Sequence, residues 1–208
     1  MRPDDGARHR FRFLNDGPND IHLFVSRDGI EFSRPSRWPY LDLGIYGDDD
    51  GGSAYAGAGM VRAGNEIWQY FTVSREPHGY VGPGTRNLYK IIRTRHRLDG
   101  FVSADAGHQG GELVTPPMTF TGDRLELNID CGALGETWVE IQDEAGNPLP
   151  GRRLDECDPV DLNHVRTVVT WRNKPDVGDL QGRPVRLRFK MRLSKLFAFQ
   201  FVSGDRAG

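Results

Sequence analysis

From Val185 to Leu193 apolar and basic residues alternate without interruption, with Val185, Leu187, Phe189, Met191 and Leu193 set against Arg186, Arg188, Lys190 and Arg192. Successive side chains of a strand project to opposite faces, so a period of two specifies a long strand with one face buried and the other wet. A helix of the same sequence would scatter the apolar residues around its circumference. After a short Ser194-Lys195 connection, Phe197, Phe199 and Phe201 fall on one face of a second strand. Residues 184–202 therefore read as a hairpin.

The same rhythm recurs upstream. "RLELNID" directs Leu125, Leu127 and Ile129 one way and Glu126, Asn128 and Asp130 the other. "WVEIQDEAGNPLPG" is a strand from Trp138 followed by turn chemistry at 143–148. "HLFVSRDGIEFSRP" predicts a hairpin about an Arg-Asp-Gly turn at 27–29, with Ile30 and Phe32 alternating with Glu31 and Ser33 in its second strand. "AGAGMVRAGNEIWQYFTVS" repeats the plan with a Gly-Asn turn at 64–65 and a strand from Ile67 to Val73, and "NLYKIIRTRHRLDG" supplies one more strand. With 26 glycines and 13 prolines interrupting it, the chain nowhere sustains a helical apolar period.

The fold class is all-β. Tight antiparallel strands at blade-like spacing in the N-terminal half suggest a partial β-propeller of about two blades. The glycine-rich, weakly patterned stretch near residues 98–111 marks a boundary. Residues 1–98 form the propeller-blade-like region and residues 99–208 an antiparallel, jelly-roll-like β-sandwich.

Composition narrows the partners. In 208 residues with 37% hydrophobic content the chain can bury an ordinary core, and its formal charge of −2 is spread over both halves, so no nucleic-acid surface is expected. The longest apolar runs are far too short for a membrane-spanning helix. The start "MRPDDGARHR" lacks the apolar region of a secretory signal. The chain is expected to be cytoplasmic as it stands, or a piece of a longer processed protein. Cys131 and Cys157 stand outside any ligand spacing and read as two separate buried thiols, so neither a metal nor another cofactor is expected.

The run "IYGDDDGGSAYAGAGM" carries the sharpest functional question. Asp48, Asp49 and Asp50 are adjacent and point in different directions, unlike a calcium loop, whose oxygens alternate and converge on one ion. They read either as an acidic surface turn or as a carboxylate offered to a sugar at the entry of a strand. "GAGMVRAG" and "GYVGPGTRN" contain G-x-G without the strand-to-helix setting that aims amides at a phosphate. The cations at 186, 188, 190 and 192 read as a solvated strand face. Trp68, Trp138 and Trp171 lie in strand patterns and read as core, whereas Trp38, in a proline-bounded loop with Tyr40 nearby, is the candidate exposed aromatic. His78 sits in a Gly/Pro loop with Glu76 and Arg86, the kind of segment where binding residues gather.

Five stretches, "HLFVSRDGIEFSRP", "DDDGGSAYAGAGMVRAGNEIWQYFTVSREPHG", "LDGFVSADAGHQGGELVTPPMTFTGDRLELNIDCG", "GRRLDECDPV" and "LQGRPVRLRFKMRLSKLFAFQF", resemble the C-terminal portion of bacterial relatives of the five-bladed β-propeller glycosidases, the invertase-like and arabinanase-like enzymes. The resemblance implies two final blades followed by a β-sandwich, with a carbohydrate as ligand or substrate. It also implies a funnel ringed by three carboxylates drawn from different blades. Asp50 most resembles the family's aspartate near the start of an inner strand, with Asp49 and Asp48 as register alternatives. Glu66 and Glu76 are the carboxylates placed to approach it, and Tyr55, His78, Arg86 and Trp38 are the substrate-binding candidates. Glycosidic cleavage needs two carboxyl groups opposed across one bond, about 5 Å apart for retention and more for inversion. One triplet on one loop cannot span a sugar, so this chain is expected to hold only part of the catalytic set. Two blades without neighbours also leave strand edges open. The chain is therefore expected to form a homo-oligomer, bind a partner chain over those edges, or fold its N-terminal strands onto the sandwich.

Overall fold

A computed structural model describes residues 17–79 and 89–204. Within them the fold is all-β and antiparallel, with a single short 3-10 turn at Gly178–Leu180, and the strands form four open sheets. The chain divides into two compact units between His96 and Arg97.

In the first unit β1 (Val25–Ser26) and β2 (Phe32–Ser33) form the Arg-Asp-Gly hairpin, Val25 facing Ser33 and Ser26 facing Phe32. Ile30 does not belong to the second strand: its amide and that of Glu31 donate to the Asp28 carboxylate at 2.8 and 2.9 Å, which keeps both residues in the turn. These amide hydrogen bonds also hold the Asp28 carboxyl below its ordinary pKa. The second sheet contains β3 (Ser53–Ala56), β4 (Val61–Ala63), β5 (Glu66–Ser74) and β6 (Tyr89–Arg97). β3 pairs with the C-terminal half of β5, β4 with its N-terminal end, and β6 pairs with β5 as well. Gly64, at φ 63°, occupies the first central position of the two-residue hairpin that sets Ala63 opposite Glu66, a place where a β-carbon would be strained. One face of the sheet buries Ala54, Phe71 and Val73 against Ile21, Tyr40, Leu41, Leu43 and Ile92.

The second unit contains β7 (Ala104–Ala106), β8 (Gly111–Val114), β9 (Arg124–Asp130), β10 (Glu136–Asp143), β11 (Asn163–Val168), β12 (Val185–Arg192) and β13 (Ser194–Val202). They make two sheets, in the orders β10-β12-β8 and β11-β9-β13-β7. The alternating residues of β9, β10 and β12 enter one shared core, where Leu125, Leu127, Ile129, Val139, Ile141, Leu187 and Phe189 are wholly buried. Trp171 lies in the same core, and Trp138 packs at its border. Cys131 and Cys157 are separate buried thiols, and burial pushes the Cys157 thiol up to about 11.

Residues 184–202 are two strands but not a hairpin. β12 pairs with β10 and β8, whereas β13 pairs with β9 and β7 in the other sheet. The switch is made at Leu193, whose φ of 48° turns the chain out of the first sheet and ends the alternation, so that Ser194 and Leu196 become the buried residues. A bulge between Leu196 and Ala198 then shifts the register. Phe199 and Phe201 consequently pack on the core, whereas the Phe197 ring lies 4.4 Å from the Arg97 guanidinium.

Two of the four cations of the β12 stripe are paired with carboxylates of their own sheet. Arg188 forks onto Glu112 at 2.9 and 3.0 Å and reaches Glu140 at 3.3 Å, while Arg192 reaches Glu136 at 2.7 Å. The Glu112 bond raises the Arg188 pKa and lowers that of Glu112.

Candidate functional site

The aspartate run folds as two consecutive turns immediately before β3. The Asp48 amide donates to the Ile45 carbonyl at 2.9 Å and the Gly51 amide to the Asp48 carbonyl at 3.1 Å. Gly47, at φ 99°, is the left-handed residue the first turn requires. Gly52 lies so close to the main chain of Arg75 and Glu76 that a β-carbon would sit within 2.4 Å of either carbonyl oxygen. This close approach joins the aspartate turns to the end of β5.

The three aspartates line an open cleft of about 360 Å³ with Gly47, Val73, Arg75, Lys90 and Ile92. Within it Asp49 accepts from Arg75 Nη2 at 3.1 Å and from Lys90 Nζ. The Lys90 hydrogen bond is the main reason that the Asp49 carboxyl titrates below its ordinary range, and Arg75 adds to it. Asp49 therefore stays ionised and cannot serve as a proton donor near neutral pH. Asp50 turns its carboxylate onto Gly44, where a β-carbon would overlap Oδ1 at 2.0 Å, and its carbonyl accepts the Gly44 amide at 3.2 Å. Asp48 is exposed.

The other candidates fall into separate places. Tyr55 and His78 meet, the phenol oxygen lying 2.6 Å from Nδ1 with the rings tilted at 49°. The main chain of Glu76 accepts from Ser53 Oγ at 3.0 Å, but its carboxylate is not part of the cleft wall. Glu66 lies in β5 and engages the Trp68 indole at 2.8 Å and Arg95 at 3.5 Å. Trp38 is 81% exposed and is not part of the cleft wall. Arg86 lies outside the described residues. No set of three or more histidine, cysteine or acidic side chains among the described residues is arranged to hold a metal ion.

Two features escaped the sequence reading. Arg75 and Lys90 become partners of Asp49 because Arg75 directly follows β5 and Lys90 stands at the start of β6, and the two strands are paired. Strand pairing was the available signal, and the separation of 41 residues between Asp49 and Lys90 hid it. The second is a polar network on the inner face of the sheet, where the Tyr40 hydroxyl donates to Gln69 Oε1 at 2.5 Å and lies 3.1 Å from His96 Nε2, with the two rings stacked. Burial raises the Tyr40 pKa and lowers that of His96.

No protein-family model, curated protein or solved structure matches this chain.

Proposed function

We propose that this chain is a carbohydrate-binding module related to the propeller glycosidases, one that engages glycans without hydrolysing them by itself. In this reading the first unit is blade-like and the second forms the accompanying β-sandwich. The sheet in which β3, β4 and β6 all pair with β5, and the core shared by two antiparallel sheets, support those assignments.

One observation carries the reading: Asp49 is held as a carboxylate between Arg75 and Lys90 at the wall of an open cleft. A fixed anion beside two cations offers acceptors and donors side by side, the pattern that grips neighbouring hydroxyls of a sugar. The same pairing argues against hydrolysis, because an acid catalyst needs a raised pKa and a second carboxyl group across the bond.

The test is isothermal titration of the full chain against a panel of neutral oligosaccharides, with turnover of aryl glycosides and fructans measured in parallel. Binding by at least one oligosaccharide, weakened about tenfold by Asp49→Asn, with no turnover, is the expected result. Turnover that disappears in Asp50→Asn would instead establish an enzyme. Binding indifferent to Asp49, Arg75 and Lys90 would dispose of the cleft as the site.

A further inference from the structure

The side of the β3–β6 sheet opposite its small core exposes several apolar residues. Strand register fixes which residues share it: Val61 faces Trp68 and Ala63 faces Glu66, and the alternation of β5 adds Tyr70. On β6, Ile92 packs on the inner face, which places Tyr89, Ile91, Arg93 and Arg95 outward. Two contacts agree with this assignment, Arg93 lying 4.2 Å over the Trp68 ring and Arg95 reaching Glu66. Ile91 is 77% exposed and Tyr89 59%, with Val61 and Tyr70 also open. Aromatic residues and arginine beside exposed aliphatics form the composition that separates protein interfaces from ordinary surface.

We propose that this outward face docks an acidic, apolar-rich surface of another protein. The charge pattern selects the partner. Glu66 is the one carboxylate that β3 to β6 place on this face, and it is already engaged by the Trp68 indole and Arg95. Arg93 has no carboxylate among the described residues and is held by the indole alone. A second copy laid face to face brings two more arginines and no free carboxylate. Antiparallel pairing of β6 with itself brings Arg93 and Arg95 of the two copies onto one face, which is unfavourable. A partner supplying carboxylates between apolar residues satisfies Arg93 and covers Ile91 and Tyr89 together. The aliphatic groups of Ile91 and Val61 favour a protein over a glycan, since they offer a sugar no hydrogen bond.

The experiment uses the full chain and a fluorescent, end-blocked peptide that alternates glutamate with valine and phenylalanine, beside its lysine counterpart. Sedimentation velocity should show a monomer, and anisotropy should show binding of the glutamate peptide but not the lysine one. Arg93→Glu should weaken that binding about tenfold or more, and Ile91→Ser should weaken it too. Both positions are exposed, so circular dichroism of the variants should match the parent. Trp38→Ala should leave binding unchanged. Equal binding of both peptides, no binding of either, or indifference to Arg93→Glu would overturn the proposal. So would self-association abolished by Ile91→Ser, which identifies a second copy as the occupant, or displacement of the peptide by polygalacturonate, which identifies an acidic glycan.

Discussion

Trp171 Nε1 donates to the carbonyl of Val139 at 2.9 Å, inside the core of the second unit, while the Val139 amide donates to Cys157 Sγ at 3.2 Å. β10 is the outer strand of its sheet, and its free edge is covered residue by residue. Thr137 exchanges hydrogen bonds with Val160, Ile141 pairs with Leu149 and Arg152, and the indole and thiol serve Val139 between them. An edge that would otherwise template pairing with another chain is thus closed by the backbone of neighbouring loops and by two side chains. Trp171→Phe keeps most of the apolar bulk but leaves the Val139 carbonyl without a partner, at a cost of about 1–3 kcal/mol. Trp171→Ala adds a cavity and should cost about 3–5 kcal/mol. Urea denaturation of the full chain measures both, and a Trp171→Phe variant as stable as the parent would contradict the assigned hydrogen bond.

Cys157 should be chemically silent in the folded chain. Burial pushes its thiol up to about 11, and Cys131 is raised in the same direction for the same reason. Thiolate is the reactive form. Iodoacetamide at a pH of about 8 should therefore label neither thiol until denaturant is added. Rapid labelling of the native protein would show that one of these sites opens.

Glu140 and Glu112 bind the same arginine in different surroundings. Glu140 is buried and also accepts from Gln142 Nε2 at 2.8 Å and the Leu154 amide at 3.2 Å, whereas Glu112 is exposed. Glu140→Ala strands those donors and should cost about 1–3 kcal/mol. Glu112→Ala should cost about 0–1 kcal/mol and lose even that in high salt. Thermal unfolding of the two variants at low and high salt checks the order, and a larger loss for Glu112→Ala would refute it.

How much of this was legible in the sequence depended on whether the cause was local. Val185 to Met191 and Leu125 to Ile129 were readable because alternation and burial express the same period. Gly64 and Asp28 announced their turns through residue chemistry. Partnership between sheets was not readable. Leu193 is an ordinary apolar residue in sequence, and only the packing of two sheets forces it to φ 48°, which converts an apparent hairpin into a corner. The bulge that removes Phe197 from the aromatic face has the same origin. At the cleft the aspartates were visible, but the cations that fix the ionisation of Asp49 arrive through strand pairing across a long separation.

His96 should make the first unit sensitive to mild acid. Its ring stacks on Tyr40, lies 3.1 Å from Thr94 Oγ1, and is held below the ordinary histidine pKa by burial. Because the folded pKa is the lower one, the unfolded chain binds more protons below the ordinary histidine value of about 6.5. Stability is therefore complete above that value and declines as pH falls from it toward the folded pKa. Urea midpoints measured from a pH of about 8 down to about 5 should fall for the parent chain and fall less steeply for His96→Gln. Parallel curves for the two proteins would remove His96 from the explanation.

The corner at Leu193 gives the most discriminating test of the second unit. A left-handed conformation costs a residue with a β-carbon about 1–2 kcal/mol, and the chain holds it here because the Leu193 amide donates to the Gly107 carbonyl at 3.1 Å while β12 and β13 pull into different sheets. Leu193→Gly relieves that strain but gives up partial burial and loosens the unfolded chain by about 0.5–1 kcal/mol, so stability should change little. Leu193→Ile keeps the bulk and adds a branch at the β-carbon, where positive φ tolerates it least, and should cost about 1–2 kcal/mol. If residues 184–202 formed a simple hairpin with Leu193 pointing into the core, the order would reverse, since isoleucine would preserve the burial that glycine deletes. Guanidinium unfolding of the two variants distinguishes a corner between sheets from a continuous strand pair.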